Sequence, residues 1–430
     1  MACRVWRVAC RGLRHAIGHR RYAICTLILV ACSSSRQSGA SLAIYASLPL
    51  SGPEAARAQA LVNGIQLKLA EHDQAACGGR FGLRFVPLDN TTNGEWDATL
   101  ETAAANKAAN DPNAAAFVGS FEPAPLQLSL PILNRVNPLL VVTPMNTYTG
   151  LSRRGLQAAD PAQYYFPAEW RIARLGPTDD QIGESAARWA SRSAARTVFV
   201  LYDEYDSDLQ APDVARAFEH AATGLGLIVV GSLPVNRFAA EYDSIMYQIQ
   251  ERAQTAGLAR PDLLFYAGPT SDHLGRLFAA KKSWLGDNHE TPIVIAPGFE
   301  AEAFVASAGD SVEGTIVISP DAPPTTWPPD GRRFAQAYSS AYGVAPTIAA
   351  AYGYDAADLI QTAINVVCAS GGDPRDRDAV RQTALAARDF PGALGRWSLD
   401  NRGDLSSVEF EIYRVNQGML EFLEKMRWGE

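Results

Sequence analysis

Histidine, cysteine and methionine are scarce in this chain of 430 residues, at six, six and five, and the short signatures of catalysis are missing. There is no P-loop, no His-Glu-x-x-His pair, no Gly-x-Ser-x-Gly elbow and no Gly-x-Gly-x-x-Gly after a strand pattern. Gly224, Gly226 and Gly231 have the wrong spacing and fall where a helix pattern passes into a strand pattern. Those absences exclude a phosphate cradle, a zinc hydrolase, a serine hydrolase and a dinucleotide fold of the usual kind. Beyond the first 31 residues the histidines are His72, His220, His273 and His289, each in a different expected element. Nothing in their spacing makes a zinc or Cys-His site, and each is expected to be solvated or to cap a helix. After residue 32 no apolar run is long enough to cross a bilayer. No catalytic residue, metal or cofactor is therefore expected.

What the chain does have starts at its amino end. Arg4, Arg7, Arg11, Arg14, Arg20 and Arg21 occur there without one acidic residue, followed by an apolar run at 22–31. The run is too short to span a membrane as a helix, and the layout is that of a secretion signal. Leu29-Val30-Ala31-Cys32 resembles the lipobox of bacterial lipoproteins, which implies a lipid on Cys32 and a mature chain that begins there. An ordinary cleaved signal that happens to hold a cysteine is the alternative. Residues 32–41 then form a flexible tether, because the small polar side chains after Cys32 cannot bury a face.

Removing 1–31 leaves 399 residues, with 32 basic against 46 acidic side chains once the six arginines are gone, a formal net charge of −14. So acidic a body argues against nucleic acid or an anionic membrane surface as partner. Cys3, Cys10 and Cys25 leave with the signal, so Cys77 and Cys368 are the two cysteines left in the folded part. They are a pair or two separately buried thiols, and spacing does not decide.

Along the body, short unbroken apolar runs alternate with helical periodicity. Strands are expected at 42–46, 85–88, 115–118 and 139–143, with helices over 55–76 and 96–109. A second series has strands at 197–201, 227–231, 263–266 and 293–296, with helices over 211–223, 241–256 and 272–284. Strands without polar alternation imply parallel sheets covered on both faces, here two of them, so the fold class is α/β. The Pro-rich segment 322–331 breaks the pattern; helices over 332–342, 350–370 and 377–387 follow, then strands at 408–415 and 419–425 joined as a hairpin at Asn416-Gln417-Gly418. Asp203, Glu204, Asp206 and Asp208 cluster just after a strand pattern, where open α/β folds bind ligands; an N-cap cluster is the other reading.

The order of short motifs resembles the type I periplasmic binding proteins, in the branched-chain amino acid and amide receptor branch. They are Leu48-Pro49-Leu50-Ser51-Gly52-Pro53, Asn63-Gly64, Cys77-Gly78-Gly79, Leu88-Asp89-Asn90, Phe117-Val118-Gly119-Ser120, Thr143-Pro144, Asp203 with Tyr205, Glu313-Gly314, Tyr352-Gly353-Tyr354-Asp355-Ala356 and Gly403-Asp404-Leu405. The resemblance implies two Rossmann-like lobes joined by three crossovers, near 166–174, 319–323 and 390–395, with a small-molecule ligand between them. Lobe 1 is then 42–170 plus 320–392, and lobe 2 is 171–319 plus 393–430. The family topology returns a late helix to the first lobe, which implies a Cys77–Cys368 disulfide.

In amino-acid-binding relatives a Pro-x-x-Thr turn meets the ligand carboxylate, so the resemblance assigns Met145, Asn146 and Thr147 of Pro144-Met145-Asn146-Thr147 to that role. The companion serine position falls on Pro123, with Ser120 and Glu122 beside it; Tyr205 keeps the family's aromatic after the second-lobe Asp. Gly298 occupies the slot of the ammonium-binding acid, with Glu300 two residues on, and Arg57 stands where the first-helix loop often has a ring. The function implied is an extracytoplasmic solute receptor, monomeric, anchored to a bacterial membrane at the periplasm or cell surface, delivering an amino acid, amide or related metabolite to an ABC permease. The rival is a regulatory or interaction lipoprotein on the same fold, such as an amide sensor or an activator of a cell-wall synthase.

Overall fold

The computed structural model describes residues 40–135, 137–154, 161–165, 172–204, 210–269, 273–297, 304–306 and 309–429. Cys32 and the tether up to residue 39 lie outside the described residues, as do Tyr205, Glu300 and most of the first expected crossover. No helix among the described residues is long and apolar enough to cross a membrane.

The first half of the chain forms β1 (Ala40–Leu48), β2 (Ala75–Ala76), β3 (Phe81–Asp89), a small ladder of β4 (Thr91–Thr92) with β5 (Glu95–Trp96), β6 (Ala114–Val118), β7 (Leu140–Thr143) and β8 (Ile172–Arg174). Six of these make one sheet in the order β2-β3-β1-β6-β7-β8, with β1, β6, β7 and β8 parallel. The second half gives β9 (Thr197–Asp203), β10 (Ile228–Val235), β11 (Leu263–Ala267), β12 (Ile293–Ala296), β13 (Ile316–Ser319), a ribbon of β14 (Phe390–Gly392) with β15 (Gly395–Trp397), then β16 (Glu409–Asn416) and β17 (Met419–Arg427). A seven-stranded sheet runs β10-β9-β11-β12-β13-β16-β17, parallel through β13 and closed by the antiparallel hairpin. Apolar strands such as Leu263-Leu264-Phe265-Tyr266-Ala267 are buried on both faces, as parallel strands under helices on each side must be.

Several expectations are corrected. The helix over 55–76 ends at Glu71, because Asp73 and Gln74 take left-handed backbone and turn the chain into β2. Trp96 belongs to the β4–β5 ladder, and its helix starts at Ala98, where the Asp97 carboxylate accepts from the amides of Thr99 and Leu100. Helices Pro123–Asn134 and Asp179–Arg192 and strands β8 and β13 were not expected at all. β8 lies just inside segment 171–319 yet pairs with β7 in the first sheet.

Helices Ala55–Glu71 and Ile348–Ala369 pack through a double glycine contact. A Cβ on Gly64 would stand 2.0 Å from the Ala350 carbonyl oxygen, and one on Gly353 2.2 Å from that of Leu61. Both motif glycines are thereby explained by close backbone approach. Cys77 and Cys368 form a disulfide with a Cα–Cα separation of 5.6 Å across 291 residues, and the Cys77 amide donates to Asn365 Oδ1 at 2.7 Å beside it. At the β14–β15 ribbon the buried Asp355 carboxyl accepts from the Ala393 amide at 2.7 Å and the Trp397 indole at 3.4 Å. Burial is the main cause that pushes this carboxyl up to about 7.

Candidate functional site

Because β1, β6 and β7 are adjacent and parallel, the loops after them leave the same edge of the first sheet. That edge is where open α/β sheets hold ligands. The loop after β6 crosses a cis Gly119–Ser120 bond. Ser120 is buried there, its hydroxyl turned toward Glu101 Oε1 at 3.4 Å and the Ser47 carbonyl at 3.5 Å. Glu101, fully buried, also accepts from Ser47 Oγ at 2.6 Å, Asn90 Nδ2 at 3.0 Å and the Ser129 hydroxyl. Ser120 is thus tied into a buried polar network under the loop. Next to it Glu122 is exposed at the start of helix Pro123–Asn134, and Phe121 carries the Arg57 guanidinium 5.4 Å above its ring centroid, with Glu54 paired to the same arginine.

The loop after β7 is the most heavily supported element at this edge. Met145, Asn146 and Thr147 are all buried. Asn146 Oδ1 accepts from the Tyr148 amide at 3.1 Å, closing the local turn. Arg174, at the end of β8 and with no exposed surface, donates to the carbonyls of Asn146 at 2.5 Å and Tyr148 at 3.0 Å, and its Nε donates to Asp404 Oδ1 at 2.8 Å. Asp404 also accepts from Ser152 Oγ at 2.6 Å. The guanidinium therefore binds two carbonyls of the turn, those on either side of residue 147. From another direction the Asp179 amide donates to the Thr147 carbonyl at 2.8 Å, and the Thr149 amide donates to Asp179 Oδ2 at 3.3 Å. The Asp179 carboxyl, wholly buried, is pushed up to about 8 chiefly by desolvation, with the neighbouring Thr147 side chain opposing. Burial likewise pushes the Tyr148 phenol up to about 12, with Tyr164, Asp213 and Asp179 adding to the rise and Arg216 opposing.

On the second sheet, Asp203 ends β9 fully buried and is met by Arg237 at 2.9 and 3.2 Å. His273 is not solvated: it is buried, and its Nε2 sits 2.8 Å from the Tyr266 hydroxyl. A Cβ on Gly268 would lie 2.5 Å from that hydroxyl and 3.0 Å from Asp203 Cβ, so this edge has no room for a larger residue. Arg57, Ser120, Glu122, Met145, Asn146 and Thr147 are brought to one sheet edge. Tyr205 and Glu300 fall outside the described residues. Sequence reasoning missed Arg174, Asp179 and Arg237; the single signal was an arginine inside the apolar run Ile172-Ala173-Arg174-Leu175. No group of His, Cys, Asp and Glu among the described residues could hold a metal ion.

The model of the periplasmic binding protein family matches residues 44–418. The chain belongs to that family. Its two-sheet α/β fold is that of the type I, branched-chain amino acid receptor kind. A curated relative, the Leu/Ile/Val-binding protein BraC3 of Rhizobium johnstonii, is 24% identical over 374 residues, covering 86% of this chain and 91% of the relative. The leucine binding protein LivK of Thermotoga maritima superposes with a TM-score of 0.68 at 20% identity, over 90% of this chain and 98% of that one. A solute binding protein of R. palustris in complex with benzoate gives 0.65 at 18%, over 90% and 96%. The family places its members outside the cytoplasm, as binding components of transporters.

Proposed function

We propose that this periplasmic binding protein captures a small carboxylate-bearing solute between two lobes, one built on each sheet with β8 kept in the first, and delivers it to an ABC permease without catalysing a reaction. The observation that carries the reading is the buried turn at 144–149, held by Arg174 and Asp179 so that the Thr147 side chain and the amides of 145–147 can serve as preorganised donors. Branched-chain amino acids and benzoate, named for the relatives, share a carboxylate, which is the group such a turn would receive. Arg57, Glu122, Tyr205 and Glu300 remain proposed selectors of the rest of the ligand. A thermal-shift screen of amino acids, amides and aromatic acids tests it, since a ligand bound at a hundred times its Kd adds about 2.7 kcal/mol to the folded state. Silence across the panel would favour the interaction lipoprotein, which the inward-turned Ser120 hydroxyl already suits.

Membrane attachment through Cys32 belongs to the same proposal, since the lipobox-like stretch precedes a polar tether. Cells fed a labelled fatty acid should yield labelled wild type and unlabelled Cys32→Ser protein. Unlabelled wild type would remove the anchor from the account.

A further inference from the structure

We propose that a pocket walled by helix Pro329–Tyr342, helix Ile348–Ala369 and the β14–β15 ribbon binds a small organic cation, an amine or amidine carried on an aromatic or other apolar body. It shares no residue with the turn at 144–149 and is a separate site from the one proposed above.

The pocket is built into the fold. Its volume is about 340 Å³, at the small end of the range for ligand sites. The ribbon is pinned to both helices where it borders the space. A Cβ on Gly331 would stand 2.2 Å from the Ala393 carbonyl oxygen, and one on Gly392 2.4 Å from Asp355 Oδ2. The Asp355 carboxyl also accepts from the Ala393 amide at 2.7 Å. One turn beyond Gly331 the first helix presents Phe334 and Ala337 to the gap. Phe334 is locked by three aromatic neighbours, with ring centres 6.0 Å away at Trp327, 5.8 Å at Tyr338 and 4.8 Å at Tyr354. Walls fixed in this way lose little freedom when a ligand enters, which favours binding.

The lining selects the sign of the charge. Glu71, Asp330 and Asp358 face the pocket against Arg333 alone, and Arg333 is paired with Asp330. Behind this lining Lys68 shows how the site treats an ammonium: its Nζ lies 3.2 Å from Asp358 Oδ1, 3.4 Å from Glu71 Oε2 and 4.9 Å from the centre of the Tyr354 ring. Even with Lys68 counted, three carboxylates meet two cations, so one negative charge is left over. Lys68 and the Thr362 hydroxyl both approach Asp358 at Oδ1, which leaves Oδ2 as the acceptor for a ligand N–H. The Tyr354 hydroxyl donates to both Glu71 oxygens at 2.9 Å and holds that carboxylate beside the ring. A cation can therefore meet oriented carboxylates while its apolar part lies against Phe334, Ala337 and Pro391; an anion would be repelled.

The test uses the full-length protein and two probes of one shape, benzamidine, which is cationic at neutral pH, and benzamide, which is neutral. By calorimetry, wild type should bind benzamidine roughly tenfold more tightly than benzamide, the gap between a charge-assisted and a neutral hydrogen bond, and added salt should narrow it. Asp358→Asn should lose most of that preference. Ala337→Trp places an indole in the pocket from an exposed helix position, so it should abolish benzamidine binding while leaving the unfolding midpoint in place. Thr147→Ala should bind benzamidine as wild type does, and amide hydrogen exchange over 391–397 should slow when benzamidine is added. No binding of benzamidine, equal affinity for the two probes, or unchanged binding by Ala337→Trp overturns the proposal and leaves the receptor reading intact. Loss of benzamidine binding in Thr147→Ala overturns it as well, because the cation would then sit in the cleft.

Discussion

Arg174→Met should lower the unfolding free energy by about 3–5 kcal/mol and abolish ligand binding in whatever protein still folds. The substitution leaves Asp404, almost without exposed surface, with only the more distant Arg153 at 3.9 Å as counter-charge, and strips the donor from the carbonyls of Asn146 and Tyr148. Removing one partner of a buried pair exposes the full desolvation cost of the other, which is why the expected loss is far above that of the surface pair Arg192–Glu424. Arg174→Lys should rescue little, because a single ammonium cannot reproduce the fork that meets Asp404 and two carbonyls together. Arg174→Met combined with Asp404→Leu should recover part of the stability without recovering binding, since the turn stays unsupported. Urea unfolding of the four proteins gives the stabilities. A loss under 1 kcal/mol for Arg174→Met would mean that water reaches the pair and that the turn is held by other contacts.

Replacing both Cys77 and Cys368 by serine should cost about 4–5 kcal/mol, since the bridge closes a loop that spans 291 residues and the chain-entropy gain grows with loop length. The folded state is not expected to change shape, because Cys77 and Asn365, and Gln361 and Ala75, hold the same two segments together by hydrogen bonds. Unfolding with and without reductant checks this. Superimposable curves for wild type and the double variant under oxidising conditions would place the stabilisation elsewhere.

The parts of this fold that could be read from sequence are those in which composition alone determines burial. β1, β9 and β11 are unbroken apolar runs, and the terminal hairpin shows its turn at Gln417 and Gly418, both with positive φ. Gly64 and Gly353 stood out as motif residues, though only the helix crossing explains them. Helix Asp179–Arg192 was missed because Ile182 is the one large apolar residue on its buried face, beside Ala186, Ala187 and Ala190, and its first turn is Asp179-Asp180. Those two acids look alike in sequence; one is buried behind Thr147 and the other half-exposed beside Arg153. β8 is three residues long, too short for any periodicity, so the one sign of Arg174 is its place between apolar neighbours. At the site, residue types located the turn at 144–147, but the direction of the Ser120 hydroxyl depends on Glu101, 19 residues away, which has no signature.

Calorimetry on Thr147→Ala bears most directly on the central claim that this turn receives a ligand carboxylate. Using a ligand found by the thermal screen, wild type should bind one molecule per chain, and Thr147→Ala should bind it at least tenfold more weakly, the roughly 1.5–3 kcal/mol of a hydrogen bond to a charged group, with its unfolding midpoint little changed. A ligand bound equally well by both proteins would contradict the account and move the site away from this turn.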